Sequence, residues 1–177
     1  MYQEFDDFIE QQRVKFGLLT TNFEKRKEEW LKTLNTFHHE IKSILEPYIE
    51  DRRIVYIPNE SNVTESELGT YLAPAPRIAL SGDANSQVIL EPVGTFILGA
   101  KGRVDMVNFA GRKMRLLLVN KNMMNSRHKI IPPSSTQLET EGNIEWVWKI
   151  EARPPDNSLL EFTERNFLNA LMFVMKG

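Results

Sequence analysis

Residues 2–48, YQEFDDFIEQQRVKFGLLTTNFEKRKEEWLKTLNTFHHEIKSILEPY, carry apolar side chains at an unbroken interval of seven: Tyr2, Ile9, Phe16, Phe23, Trp30, Phe37 and Ile44. A period near 3.5 to 3.6 residues marks an α-helix with one face turned to an apolar surface. On a straight helix each heptad step drifts backwards by about 20°. The companions of the seam compensate, lying at +3 early (Phe5, Leu19) and at +4 later (Leu34, Ile41, Tyr48). That shift holds the set within an arc of about 120°, the width of a helix lying on a globular core. A coiled coil sustained along the whole segment would keep one companion throughout. The pattern as a whole therefore favours docking over supercoiling.

Length sets a second condition. Forty-seven helical residues span about 70 Å, whereas a compact domain of 177 residues is only about 40 Å across. Either the helix breaks, or another chain covers the excess seam. Gly17 weakens a helix interior, Thr21-Asn22-Phe23-Glu24 has the form of a capping box, and Val14 and Leu18 leave the stripe. These residues favour a break within Gly17–Thr21 and a helical hairpin over one continuous helix. Either form predicts a homodimer through the N-terminal helical segment.

Beyond the helix, the texture is strands and turns. Pro47 disturbs the helix or opens its last turn, so the helical region ends near residue 49. Arg52–Pro58 reads as a first strand, and residues 59–76 as a polar stretch with a short helix capped by Thr64 and stopped near Gly69. Arg77–Leu80, Gln87–Glu91, Thr95–Leu98, Arg103–Phe109 and Lys113–Asn120 follow as strands, separated by turns rich in residues that tolerate positive φ. Their short connections require antiparallel neighbours. Lys113–Asn120 is apolar on both faces and suits a central position. Ile144–Glu151 alternates, with Ile144, Trp146, Trp148 and Ile150 on one face and Glu145, Lys149 and Glu151 on the other. Thr163 caps a final helix bearing Phe167, Leu168, Leu171, Met172 and Met175. The fold class is α+β: one domain, with a helical segment at 1–49 and a mainly antiparallel sheet of five to seven strands at 52–155. A long loop, 121–143, interrupts the sheet, and a helix at 163–176 closes the chain. The helices pack on one face, and the charged parity of Ile144–Glu151 marks the bare one.

The chain contains no cysteine, so disulfides, thiolate metal sites and a thiol nucleophile are excluded. Its start is acidic where a signal peptide is basic, and no run approaches ~20 apolar residues. A cytoplasmic location without membrane insertion is the expectation. The net charge of −2 disfavours a generic nucleic-acid binder. No motif calls for a cofactor or assigns a metal. Val93–Arg103 is not a P-loop, since its lysine is displaced and lacks a following Ser or Thr.

Catalytic chemistry has one candidate. Gly102-Arg103-Val104-Asp105 and Leu118-Val119-Asn120-Lys121 resemble, in order and spacing, the PD-(D/E)xK core of metal-dependent nucleases. There, carboxylates hold a divalent metal and a lysine positions the attacking water. Val119 occupies the place of the second carboxylate, and only Glu91 on an earlier strand could replace it. A structural ion pair between Arg103 and Asp105 is the simpler role, and any nuclease-like core would be vestigial. His38 and His39 point about 100° apart and find no second ligand one turn away, so both read as surface residues. Trp146 and Trp148 could stack on bases or sugars but suit the sheet's apolar face better.

The loop after Asn120 is the candidate partner-binding surface. Lys121, Arg127, His128 and Lys129 surround Met123 and Met124, and methionine adapts to varied partners while cations meet acidic groups. The sequence thus favours a non-enzymatic interaction protein with a protein partner, and a degenerate nuclease built on Asp105, Lys121 and Glu91 is the alternative.

Overall fold

The computed structural model describes residues 3–95, 99–123, 144–152 and 158–176. Its first element, α1, runs without interruption from Gln3 to Glu50, 48 residues. The break expected at Gly17–Thr21 does not occur. Thr20 and Thr21 donate their hydroxyls to the carbonyls of Phe16 and Gly17, four residues earlier, at 2.9 and 3.0 Å. Thr21 is therefore an interior helix residue rather than a cap. One glycine costs about 1 kcal/mol in a helix, less than exposing the unpaired backbone groups of two new helix ends. Pro47 is accommodated in the last turn. Arg52 then adopts φ 58°, its N–H donates to Ile49 O, and Arg53 N–H donates to Tyr48 O, each at 2.9 Å. This is a Schellman-type ending.

The main sheet contains β1 (Ile54–Ile57), β4 (Arg77–Leu80), β5 (Asp83–Gly94), β6 (Gly102–Asn108), β7 (Lys113–Asn120), β8 (Trp146–Glu151) and β9 (Leu159–Glu161) in that spatial order. All neighbours are antiparallel. Lys113–Asn120 is indeed internal, while the three-residue β9 was not legible. Of the expected strand Thr95–Leu98, residues 96–98 lie outside the described residues.

The short helix expected after Thr64 is instead a hairpin, β2 (Glu60–Glu65) and β3 (Gly69–Pro74), forming its own two-stranded sheet. Its period is two: Val63 and Glu65 are buried on β2, and Tyr71 and Ala73 on β3. Gly69, at φ 69°, supplies the left-handed turn residue, and the Thr64 hydroxyl bonds to that of Thr70 across the strands at 2.8 Å.

The core lies between one sheet face and the two helices. Val88, Leu90, Val104, Met106, Leu116 and Ile150 meet Trp30, Leu34, Phe37, Ile41 and Leu45 of α1. Phe167, Ala170, Leu171 and Val174 come from α2 (Glu164–Met175), which Thr163 caps by accepting from Asn166 N–H at 3.2 Å. Phe37 stacks on Trp148 with ring centroids 3.8 Å apart, and Phe162 meets Phe37 edge-on at 5.0 Å. Trp148 thus serves the core, as expected of its parity.

Candidate functional site: a projecting helix, a charge-paired sheet face and a cleft at His38

Only the second half of α1 is covered by the domain. Phe23 is half-buried and Trp30, at 3% exposure, is the first buried residue of the seam. Ahead of them, Phe5, Phe8, Ile9, Phe16 and Leu19 lie on one stripe at 44–72% exposure. Val14 and Leu18 are exposed on the opposite side. Twenty residues of helix, about 30 Å, therefore project with a large apolar face uncovered. An exposed apolar surface of this extent marks a site of association.

The root of the projection is fixed by polar contacts that sequence reasoning missed. Arg26 donates to Thr95 O at 3.1 Å. The Thr95 N–H and hydroxyl donate to the buried Glu65 carboxylate at 2.8 and 2.9 Å. The Tyr71 hydroxyl donates to the same carboxylate, and burial is the first cause raising the Tyr71 pKa, with Glu65 adding to it. The network ties helix, main sheet and hairpin together. Its available signal was the period-two placement of Glu65 with Val63, which the helical reading of that stretch concealed.

The sheet face opposite the helices carries the nuclease-like residues, and it is not the bare face expected, since Asp105, Val119 and Lys149 on it are 4–6% exposed. Arg103 grips Asp105 with two hydrogen bonds of 2.6 Å, and Lys113 lies 3.7 Å from the same carboxylate. Asp105 is 4% exposed. Glu91 is its cross-strand neighbour on β5, but on β7 Asp105 faces Arg115. Lys121 lies six residues beyond Arg115, about 20 Å along an extended strand, and pairs with Glu145 at 2.9 Å. The strands thus bring Glu91 to Asp105 and carry Lys121 away. Among the described residues, no three His, Cys, Asp or Glu are grouped to hold a metal ion. Arg115 pairs with Glu151 at 3.1 Å and Lys149 with Glu161 at 3.8 Å, so these cations are matched by carboxylates. Asp105→Asn is expected to lose about 2 kcal/mol of unfolding free energy in a denaturant melt, because the largely buried Arg103 would face an uncharged amide, while the exposed Lys113 stays solvated. An unchanged midpoint would contradict that assignment.

Of the expected loop surface, Lys121 and Met123 bound a 3-10 turn, and Met124, Arg127, His128 and Lys129 lie outside the described residues. Trp146 and Ile144, expected beside Trp148 on the covered apolar face, are instead each 38% exposed, and the Lys101 ammonium lies 5.2 Å from the Trp146 ring centroid.

His38 corrects the surface reading: it is buried, 6% exposed, whereas His39 is exposed. Neither imidazole nitrogen has a hydrogen-bond partner. The ring borders an open cleft of about 490 Å³ between α1, β1 and the hairpin, lined also by Asn35, Tyr56, Asn59, Glu60 and three prolines. Burial lowers the His38 pKa to about 4 and raises that of Tyr56 to about 12. The only sequence signal for His38 was its place beside Phe37 on the docked half of the helix.

No helix among the described residues is long and apolar enough to cross a membrane. Comparison with family models, curated proteins and solved structures gave no match.

Proposed function

We propose that this is a non-enzymatic cytoplasmic interaction protein that acts by binding another macromolecule, with the projecting part of α1 as its docking element. The observation that carries this reading is the row Phe5, Phe8, Ile9, Phe16 and Leu19, held in water on a helix whose other half is anchored in the core. Leaving five such side chains solvated forgoes about 1.5–3 kcal/mol each of available burial, a state that association relieves. The matched charges around Asp105 support a structural role there over metal-dependent cleavage, and a face whose cations are paired with carboxylates offers little to phosphate.

The test is position-specific. A photo-crosslinking residue replacing Phe16 is expected to give a discrete adduct in producing cells, and the same residue replacing the exposed Lys42 on the anchored half is not. Adding Ile9→Glu to the first protein should abolish its adduct. Equal labelling from both positions, or none from position 16, would overturn the reading.

A further inference from the structure

We propose that the projecting segment of α1 binds the same segment of a second copy of this chain, antiparallel, with Phe5 of one copy against Phe16 of the other and Ile9 against Gln12. The inference rests on the reading of that segment as a docking element and identifies its occupant.

Three observations select a second copy in this orientation. The first is the spacing of the seam. Where α1 lies on the sheet, its companions sit at +4 (Leu34, Ile41, Tyr48), and where it projects they sit at +3 (Phe5, Leu19). Alternating steps of three and four are the a and d positions of a coiled coil, so Ile9 and Phe16 take a while Phe5, Gln12 and Leu19 take d. The change of companion coincides with the point where the domain ceases to cover the helix. Both halves step by three and four, the anchored run Trp30, Leu34, Phe37, Ile41, Ile44 and Tyr48 included, so the spacing assigns the a and d positions, and it is exposure that leaves those of the projecting half without a surface to meet.

The second observation is charge. Residues 3–12 contain Glu4, Asp6, Asp7 and Glu10 and no cation, while residues 13–23 contain Arg13 and Lys15 and no anion. A parallel pair would set the acidic ends side by side. In antiparallel pairs, a layers face d layers, and the register joining Phe5 to Phe16 also places Asp6 beside Arg13, twice by symmetry. Gln12 is the single polar residue of the a and d set. It faces Ile9 near the two-fold axis, where such a residue fixes register. Antiparallel pairing also sends the two sheets to opposite ends, whereas parallel pairing would crowd them at one end.

The third is area. Covering Phe5, Phe8, Ile9, Phe16 and Leu19 in both copies removes roughly 1,000 Å² from water, the size at which specific interfaces begin.

Because the natural chain lacks cysteine, orientation can be read directly. Phe5→Cys and Phe16→Cys are prepared separately, confirmed as folded by circular dichroism, and oxidised alone and mixed. The expected result is a disulfide-linked dimer only in the mixture, joining one variant to the other. Efficient dimers of each variant alone would show a parallel pair and overturn the proposal. Asp6→Arg and Arg13→Asp provide a test without cysteine. Each alone should raise the dimer dissociation constant several-fold, and their mixture should restore it, as followed by light scattering. A parent protein that stays monomeric at ~100 μM overturns the second copy as occupant. The docking reading stands even then if the position-16 crosslink still forms in cells, and falls with it if that adduct is also missing.

Discussion

Gly102→Ala is expected to lower the unfolding free energy by about 3 kcal/mol, the range for overpacking a well-filled core. For a chain of this length that is a fall in Tm of roughly 6–12 °C. A Cβ at position 102 would lie 2.2 Å from Cζ3 and 2.7 Å from Cη2 of Trp30, well inside van der Waals contact. The indole cannot easily yield. It is 3% exposed, and the Trp148 ring centroid lies 6.3 Å from its own. The glycine is required here by close approach, since its φ is not positive. This contact roots α1 on the sheet where the projection begins, so a displaced indole would also loosen the polar tie through Arg26 and Thr95. Trp30→Leu should be destabilising by itself, through the cavity it leaves. Combined with Gly102→Ala, its effect should fall short of the sum by 1 kcal/mol or more, because the two residues share one space. A Gly102→Ala midpoint equal to the parent's would contradict the contact.

The same contact shows where the sequence was informative. The seven-residue recurrence marked Trp30 and Phe37 as buried because helical period is a property of the chain itself. It did not reveal that Trp30 would lie over Gly102, since that depends on how far apart the helix and strand axes settle. Lys113–Asn120 was legible as an internal strand from its apolar residues at both parities, and the Arg103–Asp105 pair from a spacing of two on one strand. The hairpin at Glu60–Pro74 was misread because its short polar strands draw their order from Glu65 reaching Thr95, thirty residues away. Gly17 and Thr21 carry the local signature of a break. The cooperativity of a helix anchored over its following residues outweighs that signature, and the hydroxyl turns back into the helix. Lys121 failed as Asp105's companion because order along the chain says nothing of strand register, which sets Arg115 opposite Asp105 instead.

His38 gives the second large effect, through pH. In the folded protein burial holds its pKa near 4, against 6.5 for the free side chain. Below pH 6.5 the unfolded chain takes up a proton that the folded chain refuses, so stability falls as pH drops from about 6.5 to 4 and levels off beneath that. A difference of about 2.5 pH units corresponds to roughly 3 kcal/mol, a large share of the stability of an ordinary domain. Tyr56 and Glu60 are the titratable groups lining the same cleft, with Asn35 and Asn59 beside them, and Tyr56 does not ionise in this range. Carboxylates elsewhere contribute their own slope, so the informative quantity is a difference. Denaturant melts of the parent and of His38→Leu, taken from pH 7.5 to 4, should diverge by about 3 kcal/mol, with the leucine protein losing less. Leucine also removes two buried nitrogens that lack partners, so it should match or exceed the parent's stability at pH 7.5. Parallel pH profiles for the two proteins would mean that the imidazole accepts its proton inside the fold, and the cleft would then be wetter than its geometry implies.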